Sequence, residues 1–162
     1  MEKVDLVSSA NAVNAIYEIA LSQVGVEELT GNNDGEAIKR YALEEGFPWC
    51  AAFVCWVYEQ AGYPIHLSLR DRFALRSVSK MQRRASRTGV AMGHNISPRR
   101  GDVVFFRNTA GSAKHVGIVV SVIGEVIHTV EGNTGNAVRS RTYHRGTPRI
   151  TGYARFLDGP TR

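Results

Sequence analysis

The sequence predicts an α+β fold, in which N-terminal helices pack on a C-terminal antiparallel β-sheet of about five strands. Apolar residues recur at helical spacing as far as about residue 86. From residue 103 onward the chain changes to short runs rich in β-branched and aromatic residues, separated by Gly and Asn turns. Helices followed by strands, without alternation between them, are typical of the α+β class.

Helical patterns cover four segments of the N-terminal half, at residues 9–23, 36–45, 50–61 and 70–86. We expect Ser9 or Asn11 to cap the first helix and Asn33 or Asp34 to cap the second, because these side chains accept hydrogen bonds from free N–H groups. The third helix is apolar on nearly all sides and should therefore be the buried one.

The strand patterns form five runs, at residues 103–106, 115–123, 126–131, 137–143 and 152–156. We find neither internal repeats nor a low-complexity linker. The length of 162 residues is sufficient for one hydrophobic core. We therefore predict a single domain over residues 1–162, with its core at about 15–156.

The net charge is +5, from 20 basic and 15 acidic residues, and much of the excess lies in residues 70–89. This stretch is either the solvated face of a helix or a binding surface for an anionic wall polymer. No nucleic-acid-binding motif accompanies it, so we expect no nucleic acid partner. We also expect a monomer.

The N-terminal twenty residues do not form a secretory signal, because Asp5, Asn11 and Asn14 interrupt any apolar centre. No apolar run reaches the ~18–20 residues of a membrane span. The expectation is a protein that stays in the cytoplasm until it is released, or one whose leader is absent from the chain.

Cys50 is the candidate nucleophile. Pro48 favours a helix that begins at about Trp49 or Cys50. The free N–H groups and the positive dipole end of a helix favour a thiolate, and they also offer a backbone N–H to a developing oxyanion. This is the position that a catalytic cysteine requires.

Cys55 lies further along the same helix, within its apolar run. Five residues turn ~140° about a helix axis and rise ~7.5 Å, so the two Cβ atoms diverge and no disulfide is predicted. Free cysteine is among the most buried residue types. We therefore interpret Cys55 as part of the core.

A nucleophilic cysteine needs a base, which is normally a histidine, and the chain has five histidines. His115 opens the strongest strand pattern, HVGIVV, and Gly117 leaves space on the same face of that strand. His128 lies in the middle of a strand and is interpreted as packed. His66 and His94 fall in predicted loops.

The third catalytic role, orienting the imidazole, falls to Glu131 or Asn133 in the segment EGNTG. The register of the two strands decides whether these side chains lie on the same face of the sheet as His115. With a two-residue turn and no irregularity, both side chains point away from His115. A three-residue loop or one β-bulge brings them to its face, with Asn133 directly opposite His115 and Glu131 diagonal to it.

Five segments occur in an order that resembles the CHAP family, the cysteine, histidine-dependent amidohydrolases/peptidases: GNNDGEAIKRY, PWCAAFVCWVYEQAG, RRGDVVFF, KHVGIVV and EGNTG. The resemblance implies a papain-like fold that cleaves amide bonds in peptidoglycan. It implies Cys50 as nucleophile, His115 as base, and Glu131 with Asn133 as orienting groups. The acidic cluster that some members use for calcium is missing, so we predict no metal and no cofactor.

The resulting hypothesis is a cysteine amidase or endopeptidase that acts on bacterial cell-wall peptide. Trp49 either stacks on the substrate or anchors its helix, and the side chain of Asn32 or Asn33 is a candidate second oxyanion donor. The alternatives are a non-catalytic wall-binding module, and a cysteine acyltransferase or other amidohydrolase on the same scaffold.

Overall fold

The computed structural model describes residues 6–107 and 113–159. Within these ranges, the helices are α1 (Leu6–Ser22), α2 (Glu36–Ala42), α3 (Cys50–Gln60), α4 (Leu69–Ala74) and α5 (Val78–Arg87), and a 3₁₀ turn covers Phe156–Asp158. The four predicted helical segments all contain helix, and the third begins at Cys50 as expected.

Six strands of the described chain form one antiparallel sheet: β1 (Ala91–Gly93), β2 (Val103–Arg107), β3 (Ala113–Ile123), β4 (Val126–Glu131), β5 (Arg139–His144) and β6 (Ile150–Ala154). Their order across the sheet is β1-β6-β2-β3-β4-β5. The predicted α+β class is confirmed. The sixth strand, β1, has only three residues, which is too short for a period-two pattern to predict.

Both faces of the sheet are covered by apolar side chains. On the helix side, Phe105 and Val116 pack against α3 and its neighbours in the larger core. On the other side, Val104, Phe106 and Val119 belong to a second cluster. Residues 104, 105 and 106 alternate between the two clusters because successive side chains of a strand point to opposite faces.

The buried helix is α3, as predicted. It contacts α1, α2, α5, β3 and β4, and eight of its eleven residues are buried. Cys55 is fully buried, and both cysteines are free thiols. The first turn of α3 is thereby held against the sheet, which places Cys50 near the end of the sheet at which β3 begins and β4 ends.

The basic segment predicted as one helix is two helices, α4 and α5. Ser68 caps α4 by accepting from the N–H of Asp71, and Ser77 caps α5 by accepting from the N–H of Lys80. Serine as an N-cap starts a new helix because its hydroxyl satisfies one of the free N–H groups. The SxxK pattern at 77–80 is therefore a helix start.

The predicted caps of the first two helices were wrong. Ser9 and Asn11 lie inside α1, which begins earlier. The N-cap of α2 is Gly35, with φ 110° and no side-chain cap. Asp34 instead accepts from the N–H and the hydroxyl of Thr30, at 2.9 and 2.6 Å, so its carboxylate closes the turn rather than the helix.

The β3–β4 hairpin contains one β-bulge. Ile123 pairs with Val126 across a two-residue turn, but the register shifts at Val120, which is left unpaired, so that Val119 pairs with Thr129. A bulge adds one residue to one strand of a pair. Between Val119 and His115, the side chains of β3 therefore share a face of the sheet with β4 residues that would lie on the opposite face in an unbulged ladder.

No helix in residues 6–107 or 113–159 is long and apolar enough to cross a membrane. The prediction about a secretory signal concerns in part residues 1–5, which lie outside the described residues.

Candidate active site

Cys50 is the first residue of α3. Trp49 is the N-cap, with φ −120°, and its side chain forms no cap hydrogen bond. Because the first N–H groups of a helix have no partners within the helix, the backbone N–H of Cys50 is available beside its own thiol. The residue is 5% exposed, so its side chain is almost fully covered.

His115 on β3 brings a base to this thiol. The Cys50 thiol lies close enough to the imidazole to contribute to its raised pKa. The ring Nε2–H donates to Glu131 Oε2 at 2.8 Å, and the side chains of His115 and Glu131 are 23% and 1% exposed. The carboxylate thus fixes the tautomer, which leaves Nδ1 as the nitrogen that can take the thiol proton.

The bulge at Val120 is what places Glu131 on the face of His115. Without it, Glu131 would pair with Ile118 and point to the helix side of the sheet. With it, Glu131 lies opposite Gly117, where an added Cβ would be 2.6 Å from the Glu131 Cγ. The two-residue turn combined with one bulge is one of the two geometries that the sequence allowed for this pairing.

Two hydroxyl groups hold the Glu131 carboxylate in addition to the imidazole. Thr129 Oγ1 donates to Oε1 at 2.7 Å, and the Tyr143 hydroxyl donates to Oε2 at 3.3 Å. Burial, together with the nearby Glu131 charge, raises the pKa of Tyr143 above its usual range, so the phenol remains a donor. Sequence reasoning missed both residues; period-two alternation could have found Thr129, whereas Tyr143 requires the register of β5.

The imidazole is stabilised in its charged form. Burial lowers its pKa, but hydrogen bonds with the Cys50 thiol and the Glu131 carboxylate, and the charges of both groups, outweigh burial and raise the pKa of His115 to about 9. An imidazolium beside the sulfur can stabilise a thiolate and later donate its proton to a leaving amine.

Asn133 lies beyond the end of β4, in a left-handed conformation with φ 54°. Its amide is 3.2 Å from the Asn33 amide. In the amide orientation that gives both atoms hydrogen-bond partners, Oδ1 accepts from the backbone N–H of Trp49 at 3.2 Å and Nδ2 donates to Glu28 Oε1 at 3.3 Å. Asn133 follows β4, which ends at Glu131, and its amide has these partners rather than a pairing with His115 across the ladder.

Glu28 joins this group from the loop after α1. Its Oε1 accepts from the Trp49 indole N–H at 2.8 Å, and its Oε2 accepts from the Asn33 backbone N–H at 2.9 Å. One carboxylate therefore connects the residue before Cys50 with the Asn33 turn. No sequence pattern distinguishes Glu28 from its neighbour Glu27, and sequence reasoning missed it.

The family of this chain follows from its match to a family model. The model of the CHAP domain matches residues 42–133, which is more than half of the chain and includes Cys50, His115, Glu131 and Asn133. The chain belongs to the CHAP family. No curated protein matches it.

Solved structures share the fold of this CHAP domain at low sequence identity. The crystal structure of Ly7917 is 17% identical, with a TM-score of 0.55 over 87% of this chain and 60% of that one. The Resuscitation Promoting Factor Interacting protein RipA, mutated at a histidine, is 18% identical, with a TM-score of 0.56 over 96% and 66%. An NlpC/P60 family protein from Bacillus cereus ATCC 10987 is 17% identical, with a TM-score of 0.55 over 90% and 40%.

These likenesses confirm the predicted papain-like fold. The CHAP chain spans between 40% and 66% of the length of the three solved proteins, so each of them contains further chain with no counterpart in the present sequence.

Three residues that the sequence suggested for substrate binding have other contacts. Trp49 is fully buried, so its indole cannot stack on a substrate, and the alternative role as an anchor agrees with its bond to Glu28. The Asn32 amide donates to Thr30 Oγ1 at 2.8 Å within its own turn. The Asn33 amide faces Asn133.

The described parts of the CHAP chain, residues 6–107 and 113–159, contain no group of three or more His, Cys, Asp or Glu side chains arranged to hold a metal ion. His128, interpreted from sequence as packed, is half-buried, and its Nδ1 lies 3.3 Å from the Thr142 hydroxyl. It has no contact with the Cys50 site among the described hydrogen bonds.

Glu28→Ala should destabilise the CHAP domain by about 1–3 kcal/mol, because the buried indole N–H of Trp49 loses its acceptor. Glu28→Gln keeps one acceptor oxygen and should cost less. Glu27→Ala is the matched control, since that side chain is exposed, and should change stability by less than about 0.5 kcal/mol. Urea unfolding measures all three; equal midpoints for Glu28→Ala and Glu27→Ala would contradict the anchoring role.

Proposed function

We propose that this chain is a cysteine peptidoglycan hydrolase that cleaves an amide bond of bacterial cell-wall peptide through a thioester on Cys50. The observation that carries the proposal is the continuous contact from the Cys50 thiol through His115 to the buried Glu131. Nucleophile, base and orienting carboxylate are the three components of a cysteine amidohydrolase.

The chemistry starts with transfer of the thiol proton to His115 and attack of the Cys50 sulfur on the amide carbonyl carbon. The backbone N–H of Cys50 faces the developing oxyanion. The His115 imidazolium then protonates the leaving amine, and the C–N bond breaks to give the thioester. A water molecule, deprotonated by His115, attacks the thioester and releases the carboxylic acid and the thiol. Glu131 stabilises the imidazolium in both halves of the cycle.

Two similarities support this chemistry and substrate. Structures of RipA exist with a cysteine, a histidine and a glutamate mutated, in that chain order, and these are the residue types of Cys50, His115 and Glu131. Ly7917, which shares the fold, has been solved with the hydrolyzing product of MDP. Both observations concern the relatives, and they favour the same reaction class here.

The test is digestion of purified peptidoglycan by the wild type and by Cys50→Ala, with the fragments analysed by mass spectrometry. New fragments with the wild type alone support the proposal. New amino termini on the first residue of the stem peptide would identify an amidase, and amino termini within the cross-link an endopeptidase. Binding without cleavage by the wild type would favour a wall-binding module, and transfer of the acyl group to an added amine would favour an acyltransferase.

We further propose that part of the basic 70–89 stretch holds an anionic wall polymer. Three of its arginines are used internally: Arg72 bonds to Tyr41 O and Glu59, Arg76 to Ala42 O and Glu44, and Arg84 to Asp71 and Ile65 O. The remaining cations of α5 are Lys80, Arg83 and Arg87, which are exposed and share one helix face by their spacing of three and four. We call them the α5 basic face.

A polar groove adjoins the α5 basic face. Arg83 lines it together with Ser79, Gln82, Ser86 and Thr151. Hydroxyl, amide and guanidinium donors suit phosphate or carboxylate oxygens along a polymer. The lining contains two aromatic residues, Phe105 and Tyr153, and both are buried, so base stacking of the kind that nucleic acids need is not offered.

Lys80→Gln/Arg83→Gln/Arg87→Gln should weaken binding to intact sacculi at low salt. The difference should disappear near 1 M salt, where the Debye length is about 3 Å, and turnover of small soluble fragments should not change. Lys39→Gln/Arg40→Gln/Arg99→Gln removes three exposed cations outside the 70–89 stretch and serves as the control. An unchanged sacculus affinity of the triple variant at low salt would identify the face as merely solvated.

A further inference from the structure

Arg149 is an exposed cation at the end of the sheet where His115 lies. Its carbonyl accepts from the Arg107 N–H at 2.8 Å, just before β6 begins. Its guanidinium carbon is 6.0 Å from the centre of the Phe106 ring and 5.8 Å from that of Tyr143. The His115 ring is 5.8 Å from the same Phe106 ring. A single aromatic ring therefore separates the guanidinium from the catalytic imidazole.

The guanidinium of Arg149 has no carboxylate partner in the part of the chain that the structure describes; its recorded contacts are the two rings. Contact with ring faces restrains a guanidinium in position and leaves the N–H donors at its edge free for a planar acceptor. The side chain is thus positioned without being neutralised.

The surroundings of Arg149 are positively charged. Arg107 and Lys114, at the neighbouring ends of β2 and β3, are exposed. The Glu131 carboxylate is 1% exposed, and its oxygens already accept from His115, Thr129 and Tyr143. The exposed charge at this end of the sheet is therefore positive, and the Glu131 carboxylate is covered. Such a site attracts an anionic group and repels a cationic one.

We infer that Arg149 is a specificity-determining residue that binds a free carboxylate of the stem peptide beside the scissile amide. The inference rests on the proposed peptidoglycan hydrolase function. A cell-wall stem peptide offers such a group in its γ-linked glutamate residue, whose α-carboxylate is either free or converted to the carboxamide. A guanidinium forms two parallel hydrogen bonds with a carboxylate, whereas a carboxamide offers it one acceptor oxygen and no charge.

A purely structural role for Arg149 makes a different prediction. If the guanidinium only covers Phe106 and Tyr143, its removal should loosen the layer beside His115 and Glu131. The loss would then be equal for acidic and amidated peptides, and it would appear in the pH profile. A carboxylate subsite instead gives a loss that depends on the chemistry of the peptide.

The experiment measures binding of two soluble muropeptides to the Cys50→Ala protein by isothermal titration calorimetry. The peptides are identical except that the α-carboxylate of the γ-linked glutamate is free in one and amidated in the other. We expect the free acid to bind about tenfold or more tightly, which is the size of a charge-assisted hydrogen bond. Adding Arg149→Gln should remove this preference and leave affinity for the amide unchanged.

Arg149→Lys should retain part of the preference, and Arg70→Gln, which removes an exposed cation on α4, should retain all of it. Thermal unfolding establishes that each variant is folded. Equal affinity for the two peptides, a failure of both to bind, or an equal loss for both in Arg149→Gln would each overturn the inference. Digestion of peptidoglycan by the wild type tests the proposed function separately, so the failure of one is distinguishable from the failure of the other.

Discussion

Glu131→Gln is expected to reduce turnover by about 10²–10⁴-fold, and Asn133→Ala by about tenfold or less. The carboxylate accepts the Nε2–H of His115 at 2.8 Å, and it carries the charge that stabilises the imidazolium. A glutamine in its place loses that charge and can present its NH₂ to the ring, which favours the wrong tautomer. Asn133 acts one step away, on the Trp49 N–H.

The pH dependence of Glu131→Gln follows from the raised pKa of His115, which is about 9. A histidine whose pKa is above its unfolded value contributes stability that is fully present below about pH 6.5 and is lost as pH rises through the folded value. Wild-type activity should also fall on the alkaline side near pH 9, because the imidazolium then loses the proton that it donates to the leaving amine. Removing the carboxylate lowers the pKa, so this limb moves to lower pH.

The measurement for Glu131→Gln is a pH–rate profile of each variant on a soluble fragment, with Tyr143→Phe as a milder change at the same carboxylate. Tyr143→Phe removes a 3.3 Å hydrogen bond and keeps the ring, so its loss should be smaller than that of Glu131→Gln. A larger loss for Asn133→Ala than for Glu131→Gln, or an unmoved alkaline limb, would assign the orienting role to the amide.

Cys50→Ser is expected to abolish turnover, by at least about 10³-fold, with little change in stability. Cys55→Ser should have the reverse effect and cost about 1–3 kcal/mol, because it buries a hydroxyl in an apolar site. Cys50 lies at the first turn of α3 beside His115, whereas Cys55 is fully buried and its thiol lies 3.9 Å from Leu75 O. Burial raises the pKa of Cys55 to about 12, so it remains neutral.

Alkylation with iodoacetamide separates the two thiols in the native protein. Cys50 should react much faster than Cys55, because the thiolate is the reactive form. Cys50 lies at a helix end beside His115, whereas burial keeps the Cys55 thiol neutral. Mass spectrometry of the labelled peptides gives both rates, and the unfolded protein, in which the rates should converge, is the control. Equal rates in the native protein would sink the argument from helix position.

The sequence was sufficient for the fold class because its signals are local. Period-3.6 and period-two patterns give element types, and Pro48 with the apolar run after it gives the start of α3 at Cys50. The break between α4 and α5 was missed because Ser77 also fits the interior of a basic helix. The cap of α2 was missed because Asp34 has a second partner, Thr30, which competes for the same carboxylate.

The sequence could predict the candidate site only for residues whose type and local pattern indicate a role. Cys50, His115 and Glu131 could be proposed because each stands at the end of a patterned element. The choice between substrate contact and anchor stayed open for Trp49 because exposure depends on what packs over it, and Glu28, which binds its indole, is twenty-one residues away. Glu28 and Tyr143 act through tertiary contacts that no spacing along the chain encodes.

The bulge at Val120 also means that the geometry of the site depends on the number of residues between His115 and Glu131, and not on their identities alone. Two relatives could share every motif residue and differ by one residue between His115 and Glu131. Both would keep the hairpin, its turn and its hydrophobic strands, yet in one of them the carboxylate would emerge on the wrong side of the sheet. Comparison of such chains by matched residues alone would class an inactive protein with an active one. The parity of this segment is therefore a heritable property of the fold, subject to insertion and deletion rather than to substitution.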